Sequence, residues 1–183
     1  EEFYKNGLGR SWGAELDFGY DNGRTEANVY YTLSWSKRKF DDFYPDWYRD
    51  RNDNRHKLTL MAKHKFGKRF EIYGAWNWHS GNRITLATHD AEGKEVYMEP
   101  NNAKLPDYHR LDIGFNFRKT TKRGNESIWN LSIYNVYCQM NPILAYLGED
   151  YEFTEDNLYG FRFTGEAFGI IPVLPSFSYT LKF

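Results

Sequence analysis

The sequence predicts an all-β fold: about seven strands of an antiparallel, up-and-down transmembrane β-barrel. Three observations predict it. Seven segments alternate bulky apolar and polar residues, most over about ten to twelve positions, near the roughly 9–11 that a tilted strand needs to cross hydrocarbon. The connections strictly alternate between short and long, as in a meander with tight turns on one side and long loops on the other. Aromatic residues make up 19% of the 183 residues, with 15 Tyr, 14 Phe and 6 Trp, and amphipathic Tyr and Trp rings settle at membrane interfaces.

Each element follows from its own pattern. Residues 11–20 set Trp12, Leu16, Phe18 and Tyr20 against Gly13, Glu15, Asp17 and Gly19. Residues 25–36 set Ala27, Val29, Tyr31, Leu33 and Trp35 against Asn28, Tyr30, Thr32 and Ser34. Residues 55–66 oppose Leu58, Leu60, Ala62 and Phe66 to Lys57, Thr59 and Lys63. Residues 69–80 oppose Phe70, Ile72, Trp76 and Trp78 to Glu71, Tyr73, Asn77 and His79. Residues 108–118 place Leu111, Ile113, Phe115 and Phe117 against Asp112, Gly114, Asn116 and Arg118. Residues 127–137 place Trp129, Leu131, Ile133 and Tyr137 against Asn130, Ser132 and Tyr134. The last strand, 176–183, alternates Phe177, Tyr179, Leu181 and Phe183 with Ser176, Ser178, Thr180 and Lys182. Pro172 and Pro175, at its start, suit a seam or rim because each lacks a ladder donor.

The short connections are 21–24, 67–68 and 119–126. Asn22-Gly23 suits a type I′ turn, which needs positive φ at both central residues. Residues 37–54, 81–107 and 139–167 are expected to be long loops, carrying Pro45, Pro100, Pro106, Pro142, glycines and many charges. Short turns of such barrels are periplasmic and long loops extracellular, so Phe183 is expected at the periplasmic rim.

A mean hydropathy of -0.79 fits this fold, because alternation dilutes apolar character. No run approaches the roughly 18 apolar residues of a membrane helix. The net charge of -1 provides no basic face for nucleic acid. Cys138 rules out an internal disulfide and is expected to be a small lumen or core residue. An exported protein that opens on Glu1-Glu2-Phe3-Tyr4, without a leader, is expected to be a mature or truncated piece. Seven strands cannot close a bacterial barrel of even count, and residues 1–10 read as a loop end. The expectation is therefore a portion of a larger barrel.

Five segments resemble TonB-dependent outer-membrane receptors of the Bacteroidetes type, in that family's order along the barrel. They are Gly7-Leu8-Gly9-Arg10-Ser11-Trp12-Gly13-Ala14-Glu15-Leu16, Tyr30-Tyr31-Thr32-Leu33-Ser34-Trp35-Ser36, Leu105-Pro106-Asp107-Tyr108-His109-Arg110-Leu111-Asp112, Trp129 to Tyr137 with Asn141-Pro142, and Pro172 to Phe183. The resemblance implies that 1–183 is the C-terminal part of a 22-stranded barrel whose plug domain is absent from this sequence. It implies a place in the bacterial outer membrane and import of an iron chelate, cobalamin, or a glycan or peptide fragment. Implied partners are outer-membrane lipid, the plug domain, the remaining barrel strands, the barrel-assembly machinery and an inner-membrane energy-coupling complex. Phe177, Tyr179, Leu181 and Phe183 would form the assembly signal.

Candidate contact residues fall in two groups. Tyr44, Trp47, Tyr48, Arg49 and Arg51 mix rings and guanidinium groups in one loop, a composition suited to stacking on a chelate or sugar. Glu71, Asn77, Asp112, Asn116 and Asn130 head a lumen-facing polar set that would meet a plug; Glu15, Asp17, Asn28, Thr32, Ser34, Tyr73 and Ser132 complete it. His56, His64, His79, His89 and His109 lack metal-ligand spacing. Asp107-Tyr108-His109-Arg110 with Asp112 joins acid and base without a serine nucleophile. No enzyme and no cofactor is expected. Two alternatives remain: a complete eight-stranded outer-membrane barrel for adhesion or lipid modification, and a soluble β-rich carbohydrate-binding module.

Overall fold

The computed structural model describes residues 6–86, 88–89, 95–96, 99–122, 124–154, 157–169 and 172–183. Among the described residues fourteen strands follow in chain order. They are β1 (Gly7–Asp21), β2 (Thr25–Phe40), β3 (Tyr44–Arg49), β4 (His56–Phe66), β5 (Phe70–His79), β6 (Arg83–Ile84) and β7 (Thr88–His89). Then come β8 (Glu95–Val96), β9 (Ala103–Lys104), β10 (Tyr108–Thr120), β11 (Glu126–Tyr134), β12 (Pro142–Thr154), β13 (Asn157–Gly169) and β14 (Leu174–Lys182).

Seven of the long strands form one antiparallel sheet in the order β1-β2-β4-β5-β10-β11-β14, with β3 paired to β2 alone. All seven strands expected from the alternation are in it, and neighbours in sequence are neighbours in space. The sheet is open: β1 and β14 are its two edges and do not pair with each other. No closed barrel is formed among the described residues.

Register turns the separate alternations into two continuous faces. Phe18 lies opposite Val29, Val29 opposite Leu60, Leu60 opposite Trp76, and Trp76 opposite Leu111. Phe115 then meets Leu131, and Leu131 meets Phe177. Because the side-chain period is two, one such row aligns most bulky apolar residues of the seven strands on one side, while Phe40, Met61, Ala75 and Ile128 lie on the other. Nothing described covers the apolar side: Leu16, Phe18 and Phe177 are each about 60% exposed (59%, 62% and 62%). Only Tyr48 and Leu105 are buried hydrophobic residues among those described. A compact protein of 21.8 kDa exposes about 9,300 Å². This chain exposes 13669 Å². Ladder bonds and cross-strand pairs, at about 0.2–1 kcal/mol per pair, hold the sheet together in place of a packed core.

Rings gather at both ends of the apolar face. Toward the long loops, Trp12 stacks on Trp35 with centroids 6.0 Å apart. Next along, the Tyr31 hydroxyl meets His56 Nδ1 at 2.8 Å, and His56 lies 6.5 Å from Trp78. Tyr137 Oη accepts from Trp76 Nε1 at 3.2 Å and lies 2.9 Å from His109 Nδ1. Toward the short turns, His64 meets Phe66 (4.5 Å), Phe66 meets Phe70 (5.5 Å), and Trp129 meets Tyr179 (4.8 Å). Aliphatic residues such as Leu60, Ile72 and Ile113 lie between these rows.

Several expectations need correction. Strand β1 begins at Gly7, so the segment read as a loop end supplies four strand residues. Strand β2 runs on to Phe40 because residues 7–10 of β1 pair with its extension on one side and β3, inside the expected loop 37–54, pairs with it on the other. Strand β11 stops at Tyr134 rather than running to 137, because Asn135 takes φ 55 and Cys138 φ 53. Cys138 is consequently exposed in that turn, not a lumen or core residue. Residues 139–167, expected to be a loop, contain the hairpin β12–β13, which pairs only with itself. The turn at Asn22-Gly23 is not type I′: Gly23 has φ 78, but Asn22 is not in the positive region. The Asn22 side chain instead accepts from the N–H of Arg24 (3.0 Å) and Thr25 (2.7 Å), which suits a four-residue loop.

Candidate functional site

The polar face is built by residues one position out of step with the apolar row. Along β5, β10 and β11 it forms a cross-strand ladder. Asn116 Nδ2 donates to Glu71 Oε1 (2.8 Å), and Asn130 Nδ2 donates to Asn116 Oδ1 (2.7 Å) and Tyr73 Oη (2.8 Å). Arg118 approaches Glu71 Oε1 at 3.7 Å. Glu71 and Asn116 are direct register partners, as are Asn116 and Asn130, so strand pairing alone brings them together. Three of the five residues expected on the lumen side thus form one network. Asn77 is held separately by Thr59 Oγ1 at 3.1 Å.

The remaining one, Asp112, organises a second cluster nearer the long loops. Its Oδ2 accepts from Arg110 Nε (3.0 Å), and its Oδ1 accepts from the backbone N–H of Asn135 (2.9 Å). Arg110 also donates to the hydroxyls of Tyr134 (2.6 Å) and Tyr108 (3.0 Å) and lies 4.1 Å from the Tyr134 ring centroid. Asn135 is only 1% exposed. Its amide accepts from Gln139 N (3.0 Å) and donates to Gln139 O (3.0 Å), closing the turn after β11.

At the long-loop end a cavity of about 300 Å³ is lined by Arg51, His79, Asn82, Tyr108, Arg110 and Tyr134, among others. His79 and Tyr108 stack there with centroids 4.7 Å apart and planes 3° from parallel. Neighbouring polar groups fix its rim. Asp50, Asp53, Asn54 and Ser80 are all buried. Asp53 accepts from Ser36 N at 3.0 Å, and Asp50 pairs with Arg38. Asn54 Nδ2 donates to Ser80 O (3.1 Å) and to Asn82 Oδ1. Burial, reinforced by Arg49, lowers the pKa of Arg83 at the same end. The cavity wall offers cations, hydroxyls and amides, a donor-rich lining suited to an anionic or polyhydroxylated ligand.

The aromatic loop residues take unequal places. Tyr48 is buried, 5.7 Å from the Tyr44 ring and 6.5 Å from Phe40. Burial pushes its phenol up, against the pull of Arg38. Arg10 lies 4.2 Å over the Trp47 ring. Arg49 O accepts from Asn101 Nδ2 at 2.7 Å, and Arg49 and Arg51 are exposed. Of these five, Arg51 alone lines the 300 Å³ cavity.

The acid–base run at 107–110 is split by the strand. Asp107 accepts from Gly81 N at 3.0 Å and pairs with Lys104 at 2.5 Å. Burial alone would raise its carboxyl, but the Lys104 and Gly81 bonds outweigh that and hold it low. His109 lies on the other face, against Tyr137. No group of three or more His, Cys, Asp or Glu suited to a metal occurs among the described residues. His89 lies on β7, whose side chains are outside the described set.

On β14, Phe177, Tyr179 and Leu181 share the apolar face, with Trp129 5.7 Å from Phe177. Phe183, beyond the strand, is 99% exposed. The sequence named Tyr108 and Arg110 only within the acid–base run with Asp112 and did not group them with Tyr134 into one cluster. The 108-110-112 spacing already placed three of its residues on one face, but the partner 24 positions away emerges only from register. No protein-family model matches this chain, and neither does any curated protein or solved structure.

Proposed function

We propose that this chain is barrel wall of a TonB-dependent outer-membrane receptor that imports a scarce solute, such as an iron chelate, cobalamin, or a glycan or peptide fragment. One observation carries the membrane part: an uninterrupted apolar face across seven adjacent strands, bordered by aromatic rows at both ends. From His56 to Phe66 the strand rises about 33 Å, and a tilt near 40° reduces this to ~25 Å, the height of a barrel's apolar band. Water would not tolerate such a surface on a monomer, whereas hydrocarbon favours it. The solute part rests on the family resemblance and on the donor-rich cavity at the long-loop end.

The small eight-stranded barrel has less support. The eighth strand of the sheet, β3, has six residues and pairs only with the end of β2, so seven strands of that sheet are long enough to span. A soluble module has less support too, since no second layer covers either face among the described residues.

The test uses the full reading frame in its own host. Outer membranes are fractionated, and uptake of labelled iron chelate, cobalamin and oligosaccharide is compared with a deletion strain. The expected result is heat-modifiable protein in the outer membrane and loss of uptake of one solute. Recovery as a detergent-free monomer would sink the membrane assignment. Correct localisation with undiminished uptake of every solute would sink the importer assignment alone.

A further inference from the structure

On the apolar side, just beyond the aromatic row at the long-loop end, register lines up three cations. Arg10 of β1 lies directly opposite Lys37 of β2, and Lys37 lies opposite Arg49 of β3. Arg10 is two residues past Trp12 and Lys37 two past Trp35, so both share the face of that stacked pair. The contacts agree: the Arg10 guanidinium lies 5.6 Å from the Trp12 ring centroid and 4.2 Å from that of Trp47. Trp47 and Arg49 share this face by strand parity, and neither lines the long-loop cavity on the polar side. Two residues of a strand tilted near 40° rise about 5 Å, so the cations stand roughly that far above the tryptophans. Like charges directly opposite one another destabilise a sheet. Among the described residues, no carboxylate lies within ion-pair distance of Arg10, Lys37 or Arg49. The neighbouring acids are engaged elsewhere: Asp41 pairs with Lys39, Asp50 with Arg38, and Asp53 with Arg55.

We infer that the Arg10–Lys37–Arg49 row binds the phosphate of an anionic membrane lipid in the leaflet beside the long loops. Guanidinium and ammonium groups are the phosphate-binding side chains, and Arg offers two parallel donors to a phosphodiester. Tryptophans mark the depth at which headgroups begin, and these cations lie just above them on the same face. The acyl chains of that lipid lie along the exposed column Trp12, Leu16 and Phe18 below Arg10. A phosphate there supplies the negative charge that the three aligned cations lack within the sheet. The inference rests on the membrane assignment proposed above and is independent of which solute is carried.

The test uses the full-length protein in phosphatidylcholine nanodiscs, with folding checked by heat modifiability. Association of spin-labelled phosphatidylglycerol is compared with that of spin-labelled phosphatidylcholine. Each cation near an anionic headgroup shifts partition roughly fivefold, so two acting together are expected to favour phosphatidylglycerol by about twentyfold. Arg10→Gln/Arg49→Gln is expected to lose most of that preference. Arg49→Gln alone, at an exposed position, is expected to leave about fivefold. Lys57→Gln/Lys65→Gln, which removes the same charge from the polar side, is expected to keep the full preference. Equal association of both lipids, or equal loss in both double variants, overturns the site. Competition by inorganic phosphate, beyond that of chloride at matched ionic strength, overturns the lipid as ligand in favour of the free anion. Failure of the protein to enter nanodiscs at all overturns the membrane assignment instead, so the two failures are told apart.

Discussion

Strand β10 presents Leu111, Ile113, Phe115 and Phe117 on one face and Arg110, Asp112, Asn116 and Arg118 on the other. The backbone is shared, but the faces cohere by different means. On the polar side, neighbours across strands exchange hydrogen bonds, as in Glu71–Asn116–Asn130. On the apolar side, the middle rows contain no polar side chain, and directed bonds occur only at the ends, as between Tyr31 and His56. A face without polar groups in its middle derives cohesion from whatever apolar medium covers it, whereas a laddered face carries its own. Among the described residues, nothing of the chain itself buries the apolar side.

The largest expected effect is a charge at mid-height on the apolar side. Leu60→Arg should lower refolding stability in lipid by about 2–4 kcal/mol, against under about 1 kcal/mol for Thr59→Arg next to it. Equal losses in denaturant titrations would erase the distinction between the faces. Next comes the ladder. Glu71→Leu leaves Asn116 Nδ2 without its acceptor and should cost about 1–3 kcal/mol. The Glu71→Leu/Asn116→Leu double variant should cost less than the sum, since both partners become apolar. Strict additivity would mean that the ladder is incidental. Third, Tyr31→Phe removes one ring-row hydrogen bond, for about 0.5–1.5 kcal/mol in the same titration. No change there would make the row a packing feature only.

The smallest effect concerns Asp107. Its carboxyl is held below the usual value, so its contribution is fully present above the unfolded pKa near ~3.9 and is lost as pH falls through the folded pKa. Amide exchange at Gly81, whose N–H it accepts, should therefore quicken in that acidic window. Asp107→Asn should remove this pH response, and an unaltered response would assign it to another group.

The seven principal strands were legible because each must present a continuous apolar face, and that demand writes itself into every second residue. Strand ends were less legible. The extension of β2 to Phe40 is paired by residues 7–10 of β1 on one side and by β3 on the other, and no local pattern announces either partner. The β12–β13 hairpin was illegible because Gly148, Glu149, Asp150 and Glu152 break the alternation. In the polar site, Glu71, Asn116 and Asn130 could be named from parity, but their mutual bonds depend on register between strands far apart in sequence. Arg110 was read as part of an acid–base run rather than as the centre of a cluster, because its partner Tyr134 lies 24 positions away, and Tyr48 looked like a contact residue because composition does not distinguish a ring at a rim from one underneath it.

Tyr73 leans across Gly114, where a Cβ would come within 2.2 Å of the ring, and its hydroxyl continues to Asn130. Strands β5 and β10 are joined by a long connection, so no tight turn dictates how they align. A slip of two residues would preserve both faces yet drive the Tyr73 ring into Asp112 or Asn116. The vacancy at Gly114 therefore acts as a keyhole, admitting one alignment among those that parity alone leaves equivalent. It serves as proofreading for a sheet that must find its pairing across a long loop.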